Sequence, residues 1–558
     1  MLNNIFSKIS FTTLLVFLLL FVTNTFSQVV YEPLQRDIYD FLRRLSIKGV
    51  IEYNDELRPL PRKYLAEKLI EAEEHPGKLT AVEKDNLEFY KKDFYHEIWF
   101  IQNEKNEKHL DYFSKDPAGR WRFFSYGDDN FKMNLSLILG YEIGSRDNAK
   151  LTHLWNGFYT YGYISNSLGF SFNFRDNAEQ GRTIDKTKSF TPVTGVNARS
   201  SENIGDYSSR KIEYSEARGI LATDWGWGSF AAGKEFFEWG YAENGLIVLS
   251  QKAPSFPFFR IDIYPVDWLG FNYFHAWLQS NVIDSTSIYY TETGETRFLY
   301  RNKYLASHTV FIRPTKGLKI SLGESVVYSD KLEFLYLFPL SFFRLADHYL
   351  SNQKNSAGAN SQFFASVSSR NHIKNTHLYG SLFIDEITLE GLADSKKQRN
   401  QFGFTLGASV VDLPMDNLTL TLEYSKIYPF VYSHFIQTQT YENSSYIMGH
   451  WMGNNDDQVY GSIKYSFIRG LEAVLWARYI RKGGAGNIED QYKQPQPPFL
   501  FGLRTNHTYL GASVKYEILH EFFVRLRYQN TKISKQQEDL SFVDNSLNEF
   551  YFAVYYGL

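Results

Sequence analysis

The stretch Phe550-Tyr551-Phe552-Ala553-Val554-Tyr555-Tyr556-Gly557-Leu558 decides the fold. Successive side chains of a strand point to opposite faces. Phe550, Phe552, Val554, Tyr556 and Leu558 therefore share one face, and all are apolar; Tyr551, Ala553, Tyr555 and Gly557 share the other. A strand at the end of a sheet leaves a row of backbone N–H and C=O groups unpaired. In a closed outer-membrane barrel the first strand pairs with the last and no edge remains. The expectation is that this segment closes such a barrel.

The same alternation extends back through the chain. Phe131, Met133, Leu135, Leu137, Leu139, Tyr141 and Ile143 alternate with Lys132, Asn134, Ser136, Ile138, Gly140 and Glu142. Phe402, Phe404, Leu406, Ala408 and Val410 alternate with Gly403, Thr405, Gly407 and Ser409, and Leu510, Ala512, Val514, Tyr516 and Ile518 with Gly511, Ser513, Lys515 and Glu517. One face is apolar and the other suits a wet lumen. Runs of roughly 9–11 residues match a tilted spanning strand, whereas strands of soluble sandwiches average about 5–6.

Strands are read as beginning near residues 131, 154, 168, 212, 227, 246, 269, 304, 318, 359, 376, 402, 418, 457, 471, 507, 521 and 548, about eighteen in all. Short turns fall near 165–167, 223–224, 265–267, 314–317, 371–375, 412–417, 468–470 and 519–521, and long connections near 176–211, 280–303, 329–358, 427–456 and 481–506. Outer-membrane barrels alternate short periplasmic turns with long external loops, which places both ends of the barrel at the periplasm. This count takes residues 245–264 as one interrupted strand, despite Pro254 and Pro257, and omits the hairpin-like segment 121–126.

Composition agrees. The 558 residues are 17% aromatic, with 40 Tyr and 47 Phe, as aromatic girdles at two interfaces require. Mean hydropathy is −0.35, too low for a bundle of membrane helices. A net charge of −3 argues against a nucleic-acid partner. Without cysteine there is no disulfide framework, lipoprotein anchor or thiolate metal site.

Before the barrel the period is helical. Residues 1–27 read as a secretory signal, with Lys8 in the n-region, an apolar core over 14–22 and Thr25-Phe26-Ser27 at the cleavage site. The mature chain then starts at Gln28 in a periplasm. Residues 28–115 read as a small helical bundle. Leu34, Ile38, Phe41, Leu42 and Leu45 line one helix that ends at Gly49. Leu65, Leu69 and Ile70 mark a second, and Thr80-Ala81-Val82-Glu83 opens a third with a capping box. Short helices are marginal alone, so docking on the barrel is expected. The division is signal 1–27, periplasmic bundle 28–115 and barrel 116–558: an all-β transmembrane β-barrel of about eighteen antiparallel strands with an N-terminal α-helical bundle.

Ordered short motifs give the chain a family likeness. They are Leu45-Ser46-Ile47-Lys48-Gly49-Val50-Ile51 with Arg58-Pro59-Leu60; Trp239-Gly240; Gly245-Leu246-Ile247-Val248-Leu249-Ser250 with Ala253-Pro254 and Phe256-Pro257; Leu337-Phe338-Pro339-Leu340; Tyr379-Gly380 to Ile384-Asp385-Glu386; Tyr432-Ser433-His434; and Gly449-His450-Trp451-Met452-Gly453-Asn454-Asn455-Asp456-Asp457. In these the chain resembles the Wzi family of outer-membrane capsule-assembly proteins, over nearly the whole mature length. The resemblance implies an eighteen-stranded barrel with a periplasmic helical bundle. It also implies a surface lectin that anchors capsular or extracellular polysaccharide, with no enzyme activity and no cofactor. The implied partners are that polysaccharide and outer-membrane lipid, and the chain is expected to be a monomer. A diffusion channel for small solutes built on the same barrel is the alternative, and a barrel hydrolase a third.

Sugars bind through aromatic faces stacked on C–H patches and planar polar groups facing hydroxyls. The connection after the thirteenth strand offers that mixture in Tyr432, His434, Tyr441, His450, Trp451, Asn454 and Asp456, and Trp239 and Tyr241 lie in another external connection. A second reading takes 449–457 as a structural fold-back held by its glycines and asparagines, and Trp239 as a girdle aromatic. The spacing of His434 and His450 near Asp456 and Asp457 matches no tight metal motif. Asp385 and Glu386 are adjacent on a strand and point to opposite faces, so they do not form a glycosidase pair. Glu324 shares the lipid-side parity of Leu318, Ile320 and Leu322; the expectation is that the strand has left the membrane there or contains a bulge.

Overall fold

The computed structural model describes residues 27–102, 108–165, 167–184, 199–201, 211–354, 358–386 and 400–558. The signal segment lies outside the described residues except for Ser27. No described helix is long and apolar enough to cross a membrane, which says nothing of crossing by strands.

Eighteen antiparallel strands form a closed barrel. In order they are Phe131–Arg146, Ala149–Ile164, Leu168–Gly181, Lys211–Asp224, Gly228–Glu235, Phe256–Val266, Leu269–Ile283, Tyr300–Thr315, Leu318–Ser329, Asn360–Arg370, Thr376–Glu386, Gln401–Val411, Leu418–Ile427, Asp456–Ile468, Leu471–Lys482, Thr505–Leu519, Phe522–Gln536 and Phe542–Tyr556. The last pairs with the first, from Glu549 opposite Arg146 to Tyr556 opposite Leu139. Alternation sets the faces: Leu139, Leu322, Leu406, Leu510 and Phe550 stand exposed outside, while Lys132, Asn134 and Ser136 are buried inside.

The strand count holds, but two choices behind it do not. The strand expected from residue 246 begins at Phe256. Leu246, Ile247, Val248 and Leu249 are all buried; four consecutive apolar residues have no polar face to offer a lumen, and they fold inside it. Pro257 stands at the second position of the wall strand, opposite Lys234, near the end where a missing N–H is tolerated. The omitted segment is also a strand. His109–Lys115 and Trp121–Gly127 form a hairpin whose second strand pairs with the beginning of Phe131–Arg146, from Phe124 opposite Leu135 to Gly127 opposite Lys132. The helical region therefore stops at Ile101, short of residue 115.

The helices Ile38–Ile47, Arg62–Glu73, Ala81–Asp93 and Tyr95–Ile101 surround their own core of Leu42, Leu45, Leu65, Leu69 and Phe94. The capping box forms: Thr80 accepts from the Glu83 N–H, and the Glu83 carboxylate from the Thr80 N–H. Gly49, at φ +66°, ends the first helix where a Cβ would collide with Asn371 of a short turn. The domain docks on the short-turn end through charge. Arg36 meets Glu521 at 2.5 Å, Lys515 meets Asp37 at 2.7 Å, Lys464 meets Asp40 at 2.7 Å, and Arg44 pairs with Asp412.

Candidate functional site

Three segments meet inside the barrel. From the helical end, residues 53–60 rise into the lumen, where Asp55 pairs with Arg370 at 2.5 Å and Glu56 with Lys319 at 2.8 Å. From the opposite end, residues 236–255 turn inward, and Glu238–Trp239 pairs antiparallel with Leu57–Arg58. The third segment is the long connection 428–455. The Tyr432 hydroxyl donates to the Ile247 carbonyl at 2.6 Å, the Tyr441 hydroxyl to Val248 at 2.9 Å, and the Ser250 N–H to Met448 at 2.8 Å. Trp239, Ile247, Val248, Leu249, Tyr432, Tyr441 and Met448 join inward-facing wall residues such as Leu305, Phe364, Phe383 and Ile427 in one core.

This placement corrects most of the predicted sugar contacts. Tyr432 and Tyr441 are 1% exposed, His450 and Asp456 0%, Trp239 1% and Tyr241 3%. None of these six offers a face to a polymer in solution, because each fills the lumen core or its polar seams. The Tyr241 hydroxyl lies 3.4 Å from the Glu56 carboxylate, and Asp456 pairs with Lys482 at 3.1 Å. Burial, and then Lys252 and Lys482, lower the His450 imidazole to about 3. Half-buried Asn454 donates to the Val431 carbonyl and the Ser433 hydroxyl, both at 3.1 Å, and the Trp451 indole N–H donates to the Asn244 carbonyl. The fold-back reading of 449–457 therefore describes the geometry. Trp239 is neither a loop contact nor a girdle residue but a packing residue, edge-on to Phe364 with ring centres 4.9 Å apart.

His434 is placed differently. It lines a cavity of about 420 Å³ at the long-connection rim, with Arg344, Asn360, Asp385, Glu386, Ser433, Gln491 and Tyr492 among the other walls. His434 accepts from the Ile436 N–H at 3.1 Å, and burial lowers it below the usual imidazole range, so it is neutral at pH 7. Gln491 donates to Glu386. Asp385 turns inward to accept from the Tyr432 N–H at 2.7 Å, as strand alternation requires. A cation, carboxylates, amides, a neutral imidazole and a phenol around one hollow match what hydroxyl-rich rings need. Gln491 and Tyr492 were missed from sequence: their long connection was recognised, but nothing local distinguishes that dipeptide. Among the described residues no group of three or more His, Asp or Glu is arranged to hold a metal ion.

Comparison with known proteins follows this geometry. The family model for capsule assembly protein Wzi matches residues 157–545, more than half of the chain. Among solved structures, the chain is similar to Wzi of Escherichia coli, described as an outer membrane protein involved in group 1 capsule assembly and a carbohydrate binding β-barrel. That match has a TM-score of 0.55 at 12% identity and covers 95% of this chain and 100% of the other. OprD of Pseudomonas aeruginosa matches at a TM-score of 0.40 and 15% identity, over 76% of this chain and 95% of that one. No curated protein matches by sequence. The family match over most of the barrel, on a closed eighteen-stranded wall that aligns along the whole length of a Wzi structure, shows that this chain belongs to the Wzi capsule assembly family.

Proposed function

We propose that the chain is a non-enzymatic surface lectin of the outer membrane, which binds capsular or extracellular polysaccharide and holds it at the cell during capsule assembly. Family membership supports this, and so does the description of the E. coli neighbour as carbohydrate binding. The observation that carries it over a diffusion channel is the filled lumen: residues 53–60, 236–255 and 428–455 pack against one another inside the wall. In this reading residues 1–27 are removed on export, the helical domain and short turns face the periplasm, the long connections face outward, and the protein acts as a monomer.

The rim cavity around His434, Gln491 and Tyr492 is the proposed contact with polymer. Tyr492 is 41% exposed and supplies a ring for sugar C–H groups, half-buried His434 and Ser433 supply polar groups, and buried Gln491, bound to Glu386, holds the wall behind them. Each contact is weak, and repetition along the polymer multiplies them. No cofactor is needed. A deletion strain tests the role: it is expected to keep making polymer but shed it into the medium. A strain that stops synthesis, or retains polymer normally, ends the anchoring proposal.

A further inference from the structure

The connection that follows Leu318–Ser329 folds outward rather than into the lumen. On that strand Lys319, Ser321 and Val327 point inward, the first two onto Glu56. Leu318, Ile320, Leu322, Glu324, Val326 and Tyr328 point outward. Ile320 and Leu322 are exposed, but Glu324, Val326 and Tyr328 are buried. Their cover is the pair of helices Phe334–Leu337 and Phe343–Lys354. Tyr336, Phe343 and Leu350 pack with Tyr304, Val326 and Tyr328 in a cluster separate from the lumen core.

This resolves Glu324. The strand contains no bulge there: pairing runs unbroken from Lys303↔Ser329 through His308↔Glu324 to Ile312↔Ile320 on one side, and through Glu324↔Phe363 on the other. The carboxylate instead caps the second helix, accepting from the N–H groups of Phe343 at 2.8 Å and Arg344 at 2.6 Å. The neighbouring outward His308 meets the Pro339 carbonyl through Nδ1 at 3.0 Å. Two ionisable groups on the lipid-side parity are thus sealed by one segment.

Height decides what lies beyond that segment. Glu324 stands six residues above Leu318 at the short-turn end, about 20 Å along the strand at ~3.3 Å per residue. At a tilt of about 40° that is about 15 Å of rise, inside an apolar band about 25 Å tall. The covering segment therefore overlaps the upper half of the band. Its far side is largely apolar too: Phe338, Leu340, Phe342, Leu345 and Tyr349 are each about half exposed or more, with Arg344 and His348 the exposed polar residues among them, where a water-facing helix would carry mostly polar residues.

We propose that segment 334–350 is a lipid-embedded collar, with its outer face among the acyl chains of the outer leaflet and exposed Arg344 at the level of the anionic headgroups. Leu322 directly below makes the collar continuous with the lipid-facing wall. The collar also carries one wall of the rim cavity, because Arg344 lines it. The inference does not depend on what that cavity binds.

The chain lacks cysteine, so single-site labelling is clean. Leu345→Cys and Phe338→Cys would carry an environment-sensitive fluorophore in phosphatidylcholine/phosphatidylglycerol vesicles whose acyl chains bear nitroxides. Leu406→Cys, exposed on the wall, is the lipid control, and Leu299→Cys, exposed in the connection before Tyr300–Thr315, is the water control. A heat-modifiable electrophoretic shift verifies that each variant is folded. The expected result is nitroxide quenching at 338 and 345 within about twofold of that at 406, with protection from aqueous iodide. Iodide quenching like that at 299, without nitroxide quenching, overturns the proposal. Protection from both quenchers together with cross-linking to a second copy also overturns it, and marks the segment as a protein interface.

Discussion

The hydroxyl of Tyr432 donates to the carbonyl oxygen of Ile247 at 2.6 Å and accepts from the N–H of His450 at 3.2 Å. One phenol thus ties two connections that enter the lumen about 185 residues apart in sequence. Tyr432→Phe leaves a buried carbonyl and a buried N–H without that partner, at a cost of about 1–3 kcal/mol. The expected outcome is a lower temperature for the heat-modifiable gel shift, with polymer retention on cells unchanged. Lost retention in a variant of normal thermal stability would restore Tyr432 as a sugar contact.

Conductance tests the filled lumen. In planar bilayers the full chain is expected to give no steady open-channel current. Replacing residues 240–250 with a four-residue Gly/Ser linker removes Ile247, Val248 and Leu249 from the core and is expected to open a leak. Large, steady currents from the unaltered protein would instead favour the diffusion-channel reading.

The rim cavity predicts graded loss of retention. His434→Ala, Gln491→Ala or Tyr492→Ala alone should weaken polymer retention about two- to fivefold, and the triple variant more than about tenfold, because repeated weak contacts multiply. Cell-associated and shed polymer are the readout. Full retention by the triple variant, with shedding by the deletion strain, leaves the anchoring role standing and removes this cavity from it.

Arg62 holds the helical domain together. It is 1% exposed, meets Glu97 at 2.7 Å and Glu32 at 2.5 Å, and lies 4.0 Å over the Phe94 ring. Arg62→Ala removes the cation shared by two buried carboxylates, leaving Glu32 only Arg36 at 3.7 Å and Glu97 only the Tyr163 hydroxyl, at about 3 kcal/mol. Limited proteolysis should then clip within residues 28–108 while the barrel fragment persists; an intact domain would show that the charges are compensated elsewhere.

Docking of the helices should fail in acid. Burial pushes Glu521 up, but Arg36, with His520 and Arg122 behind it, outweighs this and holds the carboxyl at about 2. A depressed carboxyl contributes stability above the unfolded value of about 4.3 that is lost as pH falls through the folded one. Protease accessibility of residues 28–108 should therefore rise between about pH 4.5 and 2. In Arg36→Gln the carboxyl is less depressed, so docking should be weaker at pH 7 and the acid-dependent rise smaller. An unchanged profile would remove this pair from the docking energy.

The wall was legible because lipid on one side and a mostly polar interior on the other impose a period of two: strands such as 131–146 and 402–410 announce their faces residue by residue. The capping box at Thr80 was equally local. Legibility failed where a polar or apolar run answered to a neighbour far away in sequence. Residues 246–249 read as a wall strand because their partners, Tyr432 and Tyr441, are 185 and 193 positions distant. Aromatics in a long external connection read as sugar contacts, since nothing in their spacing says that the connection folds inward. Glu324 read as a defect, because the helix it caps comes 19 residues later.

The pairing of Leu57–Arg58 with Glu238–Trp239 has a mechanical consequence. Those two short stretches link a domain docked at one mouth of the barrel to a connection that enters from the other. Force applied to the helices is transmitted along this inner backbone tether, as well as around the stiff wall. The two mouths are therefore not independent bodies: displacing residues 53–60 drags Trp239, and with it the packed connections that close the far opening.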